Sequence, residues 1–176
     1  LLNPSDFKGL KFRISGSKIA DRYFRELGAI PQIMAFSEVY QALQTGVVDG
    51  CENTPSNYLT QKFHEVQKDI TVSNHAHLQY AVIVNSKFWN GLPPDIRKEL
   101  DKAMADATDY TNSIAAQENK DALAAIKASG KTNLLYLTDA QKVAWQKAMA
   151  PTYKWAQGRV GKEVLDLLAK ELHVQM

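Results

Sequence analysis

Arg13, Phe36 and Asn53 each stand where a short apolar run gives way to a turn, and they are three different kinds of ligand-binding side chain. The guanidinium is the informative one. Its planar fork of N–H donors matches a carboxylate bidentately, and Arg13 lies directly before Gly16-Ser17 and the start of a helix, where the first amides lack intrahelical partners and favour anions. The expected ligand therefore carries a carboxylate. Taken singly, each residue also has an ordinary explanation: Arg13 as a surface cation, Phe36 as a core aromatic, Asn53 as a capping side chain. Only their convergence points to a site.

That convergence depends on three strand-turn-helix units. In the first, Leu10, Phe12 and Ile14 alternate with Lys11 and Arg13, and after Gly16-Ser17 a helix carries the stripe Ile19, Ala20, Tyr23, Phe24 and Leu27. In the second, residues 30–36 read as a strand, with Ser37 as N-cap of a helix through Val39, Tyr40, Ala42 and Leu43 that stops at Gly46. The third runs from Val47 through Asp49-Gly50 to Glu52-Asn53, before Pro55 opens a helix to Phe63. Strand-helix-strand crossovers are right-handed and their strands parallel, so the three turns are expected on one edge of one sheet.

Further along, Ile70-Thr71-Val72 reads as a strand continuing through Ser73-Asn74-His75, and residues 80–84 as a buried strand, with a short turn around Phe88 and Trp89. From Pro94 to about Ser129 there is neither proline nor glycine, and apolar residues from Ile96 to Ile126 recur at three- or four-residue steps. One helix ending at Gly130 would span roughly 50 Å at about 1.5 Å per residue, enough to cross between two lobes. The alternative is a break near residues 108–111, where propensity dips. Residues 134–137 read as a strand, and Thr138 with Gln141 as a capping box for a helix that Pro151 is expected to interrupt. The aromatic set Trp145, Tyr153 and Trp155 and the apolar face of the long helix are read as core. Val164, Leu165, Leu168 and Leu172 give a closing helix an apolar face for docking.

Composition narrows the function classes. The chain has 176 residues, 45% of them hydrophobic, which suits a globular protein, and its net charge of +2 comes from 21 basic and 19 acidic residues well mixed along it. No nucleic-acid footprint results. No apolar run reaches the roughly 18 to 20 residues of a membrane span, so the chain is not expected to be membrane-embedded. With Cys51 as its one cysteine it cannot form an internal disulfide. No activated nucleophile or phosphate-binding glycine loop is found, and Gly16-Ser17-Lys18 lacks the upstream glycine of a nucleotide site. His75-Ala76-His77 could offer two metal ligands, but His64 and His173 lie elsewhere and no third ligand is evident, so neither metal nor cofactor is expected. A single hydrogen-bonding role suits His75 better.

Residues 34–44, the run Gly46-Val47-Val48-Asp49-Gly50, Glu52-Asn53, Gln61-Lys62-Phe63 and Glu65-Val66-Gln67-Lys68 resemble, taken together, the extracytoplasmic solute-binding proteins of TRAP transporters, the DctP type. Ser73-Asn74-His75 and residues 82–92 are similar to the members that bind C4-dicarboxylates. The resemblance implies an α/β, periplasmic-binding-protein-like lobe with a parallel or mixed sheet flanked by helices, one long lobe-crossing helix, an organic-acid ligand and delivery to TRAP membrane permease subunits. It implies that Arg13 clamps the carboxylate, that Asn53 also contacts it and Phe36 packs beside the ligand, and that Ser17 and His75 lie near the cleft. Two local differences from the family are Cys51, where glutamine is common, and Thr54 between Asn53 and Pro55.

The start at Leu1, entering the first strand as if in mid-protein, gives the expectation of a C-terminal fragment with most of the N-terminal lobe missing. On that reading residues 1–78 begin the second lobe, 79–118 return to the missing first lobe, and 119–176 complete the second lobe with the closing helices. The expected function is capture of a C4-dicarboxylate such as malate, succinate or fumarate in the periplasm. A sugar acid, sialic acid or aromatic acid is the alternative within the family. The rivals from other classes are a small α/β enzyme using His75 as acid or base, and a sensing or assembly domain; the sequence leaves the oligomeric state open.

Overall fold

The computed structural model describes residues 1–172, with side chains through residue 171. His173 and the side chain of Leu172 lie outside the described residues. The first three units form as alternation and crossover handedness dictate: β1 (Lys11–Ile14) leads to α1 (Lys18–Glu26), β2 (Ile30–Ile33) to α2 (Val39–Gln44), and β3 (Gly50–Cys51) to α3 (Pro55–Thr60). The strands are parallel in the order β2-β1-β3, with Arg13 opposite Gln32 on one side and Cys51 on the other. All three chains therefore leave the sheet at the same edge. Pro31 sits in β2, an edge strand, where a missing N–H costs no ladder bond.

Strand alternation sends side chains to two different cores. Phe12 and Ile14 face the cluster of Phe7, Ala20, Phe24, Leu27, Leu137 and Trp145, through which α1 packs against α6 (Asp139–Val160). Cys51, Val39, Leu43, Val48, Tyr58, Phe63 and Ile126 make the second cluster, where α3 meets α5 (Pro94–Ser129). Helices thus cover both faces, the α/β arrangement expected. A second parallel pair, β4 (Asp69–Val72) with β5 (Asn133–Tyr136), supplies Ile70 and Leu134 to the edge of that cluster. Glycine is required at position 50, where a Cβ would stand 2.7 Å from the Phe12 ring.

α5 is one unbroken helix of 36 residues, closed by Gly130 in the left-handed conformation, so the dip in propensity at 108–111 does not break it. Yet its apolar face is not core along its length: Ala122 and Ile126 are buried, whereas Ile96, Leu100 and Tyr110 are exposed among the described residues. The Thr138 and Gln141 capping box forms as read. α6 then runs straight through Pro151, which corrects the expected interruption. Proline removes the bond to the Lys147 carbonyl, at a cost of about 3 kcal/mol, which the burial of Trp145, Thr152 and Ala156 on either side of it offsets. Of the aromatic set only Trp145 is buried; Tyr153 is exposed and Trp155 carries Arg159 over its ring. α7 (Lys162–Leu172) exposes Val164 and Leu168.

Other corrections concern strand ends. β2 stops at Ile33, and Phe36–Glu38 form a 3₁₀ turn, so Ser37 lies inside that turn and Glu38 occupies the α2 N-cap position. α3 ends at Thr60, with Phe63–Glu65 in a separate 3₁₀ turn. Residues 80–84 are not a strand: residues 73–85 have no regular structure, and Tyr80, Val82 and Ile83 are exposed. A β-branched run needs a neighbouring strand to complete its hydrogen bonds, and none of the described strands pairs with it. α4 (Ser86–Gly91) follows, capped by Asn85.

Candidate functional site

Arg13 is buried, 5% exposed, at the edge where the three turns emerge. Nε and Nη2 both donate to the Met34 carbonyl, at 3.2 and 2.9 Å, which takes the side-on edge of the guanidinium. Its end-on edge, Nη1 with the second hydrogen of Nη2, has no hydrogen-bond partner among the described residues. Phe36 packs against this cation with its ring centroid 5.7 Å from the guanidinium carbon, and is in turn held edge-on by Phe63. The chain leaving β2 thus contributes twice: the Met34 carbonyl just past the strand grips the arginine, and the 3₁₀ turn after it supplies the ring.

β3 ends on the other side of Arg13. Cys51, the register neighbour of Arg13, is buried, and its thiol is pushed up to about 11 by that burial, so at neutral pH it stays uncharged. The Tyr58 hydroxyl donates to the Cys51 carbonyl at 2.8 Å and fixes the strand end from behind. Glu52 follows; burial raises its carboxyl above the usual range, and the Arg13 charge beside it draws it part of the way back. Asn53 comes next, half-buried, with Oδ1 accepting from Thr54 N–H at 2.9 Å and from Asn57 Nδ2 at 2.6 Å. An anionic ligand meeting Arg13, Phe36 and Asn53 here would find a cation, an aromatic face and an amide.

Ser17 and His75 both lie against α1. Ser17 caps α1, its Oγ accepting from Ala20 N–H at 3.2 Å, while its own N–H donates to Ser15; the hydroxyl hydrogen has no described partner. His75 lies behind α1, its ring 5.7 Å from Tyr23 and 6.1 Å from Trp145, with Nδ1 bonded to Ser73 Oγ at 2.7 Å and Nε2 buried without a partner. Tyr23 connects the two regions: burial, and then the charge of Glu52, raise its hydroxyl pKa. No three potential metal-ligating side chains gather among the described residues. Glu52, Asn57 and the Met34 carbonyl are the parts that sequence reading missed. Glu52 could have been found from its place between two strand-end residues, but a backbone carbonyl leaves no trace in residue types.

Burial lowers the His75 imidazole below its ordinary value near 6.5, so between those two values the unfolded chain binds more protons than the folded one. Its contribution to stability is complete above about pH 6.5 and declines as pH falls through the lowered value. Urea midpoints measured from about pH 7 down to about pH 5 should therefore fall, and His75→Gln should flatten the decline. An equal slope in both proteins would count against a buried neutral imidazole.

The sequence profile described as DctP, bacterial extracellular solute-binding protein, family 7, matches residues 1–158. Among characterised relatives, the C4-dicarboxylate-binding periplasmic protein DctP of Rhodobacter capsulatus is 55% identical over 165 residues, covering 94% of this chain and 50% of the relative. Among solved structures, a TRAP periplasmic solute-binding protein of Shewanella oneidensis with bound succinate superposes with a TM-score of 0.92 at 41% identity, over 94% of this chain and 54% of that one. A second, from Pseudomonas aeruginosa with bound L-malate, gives 0.84 at 38% identity, over 88% and 54%. The chain spans about half the length of the relatives it matches.

Proposed function

The chain belongs to the bacterial extracellular solute-binding protein family 7, and from that membership we propose that it is the carboxylate-recognising part of a periplasmic TRAP binding protein that captures a C4-dicarboxylate and delivers it to membrane permease subunits. The observation that carries this reading is the buried Arg13 guanidinium, anchored on one edge by Met34, faced by Phe36 and open on its other edge. A charge-assisted pair formed there, away from bulk water, is worth more than the same pair on an open surface. Asn53 adds a neutral donor, and Ser17 and His75 border the cleft. Relatives that bind succinate and malate favour these acids over sugar acids, sialic acid or aromatic acids.

Residues 1–78 and 119–176 then form one lobe, and 79–118 reach to another. Supporting this, Tyr80, Val82 and Ile83 and the first part of α5 present apolar side chains to solvent, which a covering lobe would bury. Calorimetric titration of the protein, expressed at the length of its relatives, with succinate, malate, fumarate and glucuronate tests the ligand class. One-site binding of a dicarboxylate, tighter than glucuronate, is expected, with the acid recovered unchanged. Tighter glucuronate binding would overturn the ligand class, and conversion of the acid would favour the enzyme.

A further inference from the structure

The carboxamide of Asn53 has two ends of opposite chemistry, an oxygen that only accepts and a nitrogen that only donates. Which end meets an acid decides whether the residue attracts or repels it. One end lies 2.9 Å from the Thr54 backbone N–H, which can only donate, so that end is Oδ1. The Asn57 group 2.6 Å from the same oxygen must then be its NH2, and its other contact is Tyr80 Oη at 3.5 Å. Two donors thus converge on Oδ1 from the first turn of α3. Nδ2 of Asn53 is left at the opposite end with no hydrogen bond to any described residue. The Ser56 N–H of the same turn is taken by Asn119 Oδ1 at 3.1 Å, so it does not compete for Asn53.

We propose that Asn57 is a positioning residue for ligand binding: together with the Thr54 amide it holds the Asn53 carboxamide in one of its two orientations, NH2 outward, so that Asn53 is already a donor when the acid arrives. The inference rests on the acid-binding reading above. Thr54, which separates Asn53 from Pro55, supplies one of the two donors, and Asn57 comes one helical turn after Asn53 to supply the other. Removing Asn57 leaves a single donor to oppose the turned-over amide. Replacing it by aspartate sets an acceptor against Oδ1 and reverses the preference.

The test compares Asn57→Leu and Asn57→Asp with the parent, using calorimetry with succinate and nuclear Overhauser contacts in the ligand-free, isotope-labelled protein. In the parent, the Asn57 side-chain NH2 should show a contact to the Thr54 amide hydrogen and the Asn53 NH2 should not. Asn57→Leu should weaken succinate binding about threefold, and Asn57→Asp at least tenfold, with the Asn53 NH2 contact to Thr54 appearing in the aspartate variant. A parent contact from the Asn53 NH2 to Thr54 would overturn the proposal, as would variants that bind succinate like the parent. A role in folding alone would weaken both variants equally without that new contact, and would also overturn it. If the parent bound no succinate, the ligand assignment would fall, while the contact pattern would still decide the orientation.

Discussion

Arg13→Ala should weaken succinate binding at least tenfold, and Arg13→Lys should lose nearly as much. A hydrogen bond to a charged group contributes about 1.5–3 kcal/mol, and each 1.4 kcal/mol or so is a factor of ten in affinity. Alanine deletes the whole end-on edge that the fold leaves open to a carboxylate. Lysine keeps the charge but is a point donor, and it cannot span the Met34 carbonyl and an acid at once as the planar fork does. Alanine has a second effect, on Glu52: without the neighbouring cation, burial alone acts on that carboxyl and its pKa rises further. Calorimetry on both variants checks this, and an affinity within twofold of the parent would dismiss Arg13 as the anchor.

Phe24→Ala is the substitution with the largest expected effect on stability, about 3–5 kcal/mol, because it opens a cavity where four rings meet. Phe24 is 2% exposed, with Phe12 and Tyr23 at 4.6 Å and Phe7 at 5.9 Å between ring centroids. Those neighbours tie β1, α1 and the N-terminal turn together, and Trp145 extends the stack to α6 through Phe7 at 5.1 Å. None of them can fill the gap without pulling a strand or helix off its register. Denaturant unfolding followed by far-ultraviolet circular dichroism measures the loss; a change below about 1 kcal/mol would mean that this cluster repacks freely.

The meeting of the three turns at one sheet edge could be read from residue types because two strong local rules govern it. Alternation in Lys11–Ile14 identifies a strand with Arg13 on one face, and the handedness of crossovers brings the next two turns to the same edge. What stayed hidden depends on partners that are distant in sequence. Residues 80–84 have the composition of a strand, yet composition does not reveal whether another strand lies alongside. Pro151 should stop a helix by its own chemistry, but packing of Trp145 and Ala156 outweighs one lost hydrogen bond. Glu52 looked like one more polar residue until register set its neighbour Cys51 opposite Arg13 and brought its carboxyl within reach of that charge, and the Met34 carbonyl that grips the guanidinium belongs to the backbone.

The continuity of α5 has a mechanical consequence. Its C-terminal portion is clamped at Ala122 and Ile126, and Asn119 ties it to Ser56, three residues from Asn53. The rest of the rod, out of roughly 54 Å in all at about 1.5 Å per residue, projects from that fulcrum. A tilt of roughly 10° at the clamp would sweep its far end through roughly 7 Å, taking the stretch from Pro94 to Asn119 at about 1.5 Å per residue. The helix is thereby a lever whose short arm abuts the turn that carries Asn53, so a displacement of that turn too small to repack the core is magnified at the far end.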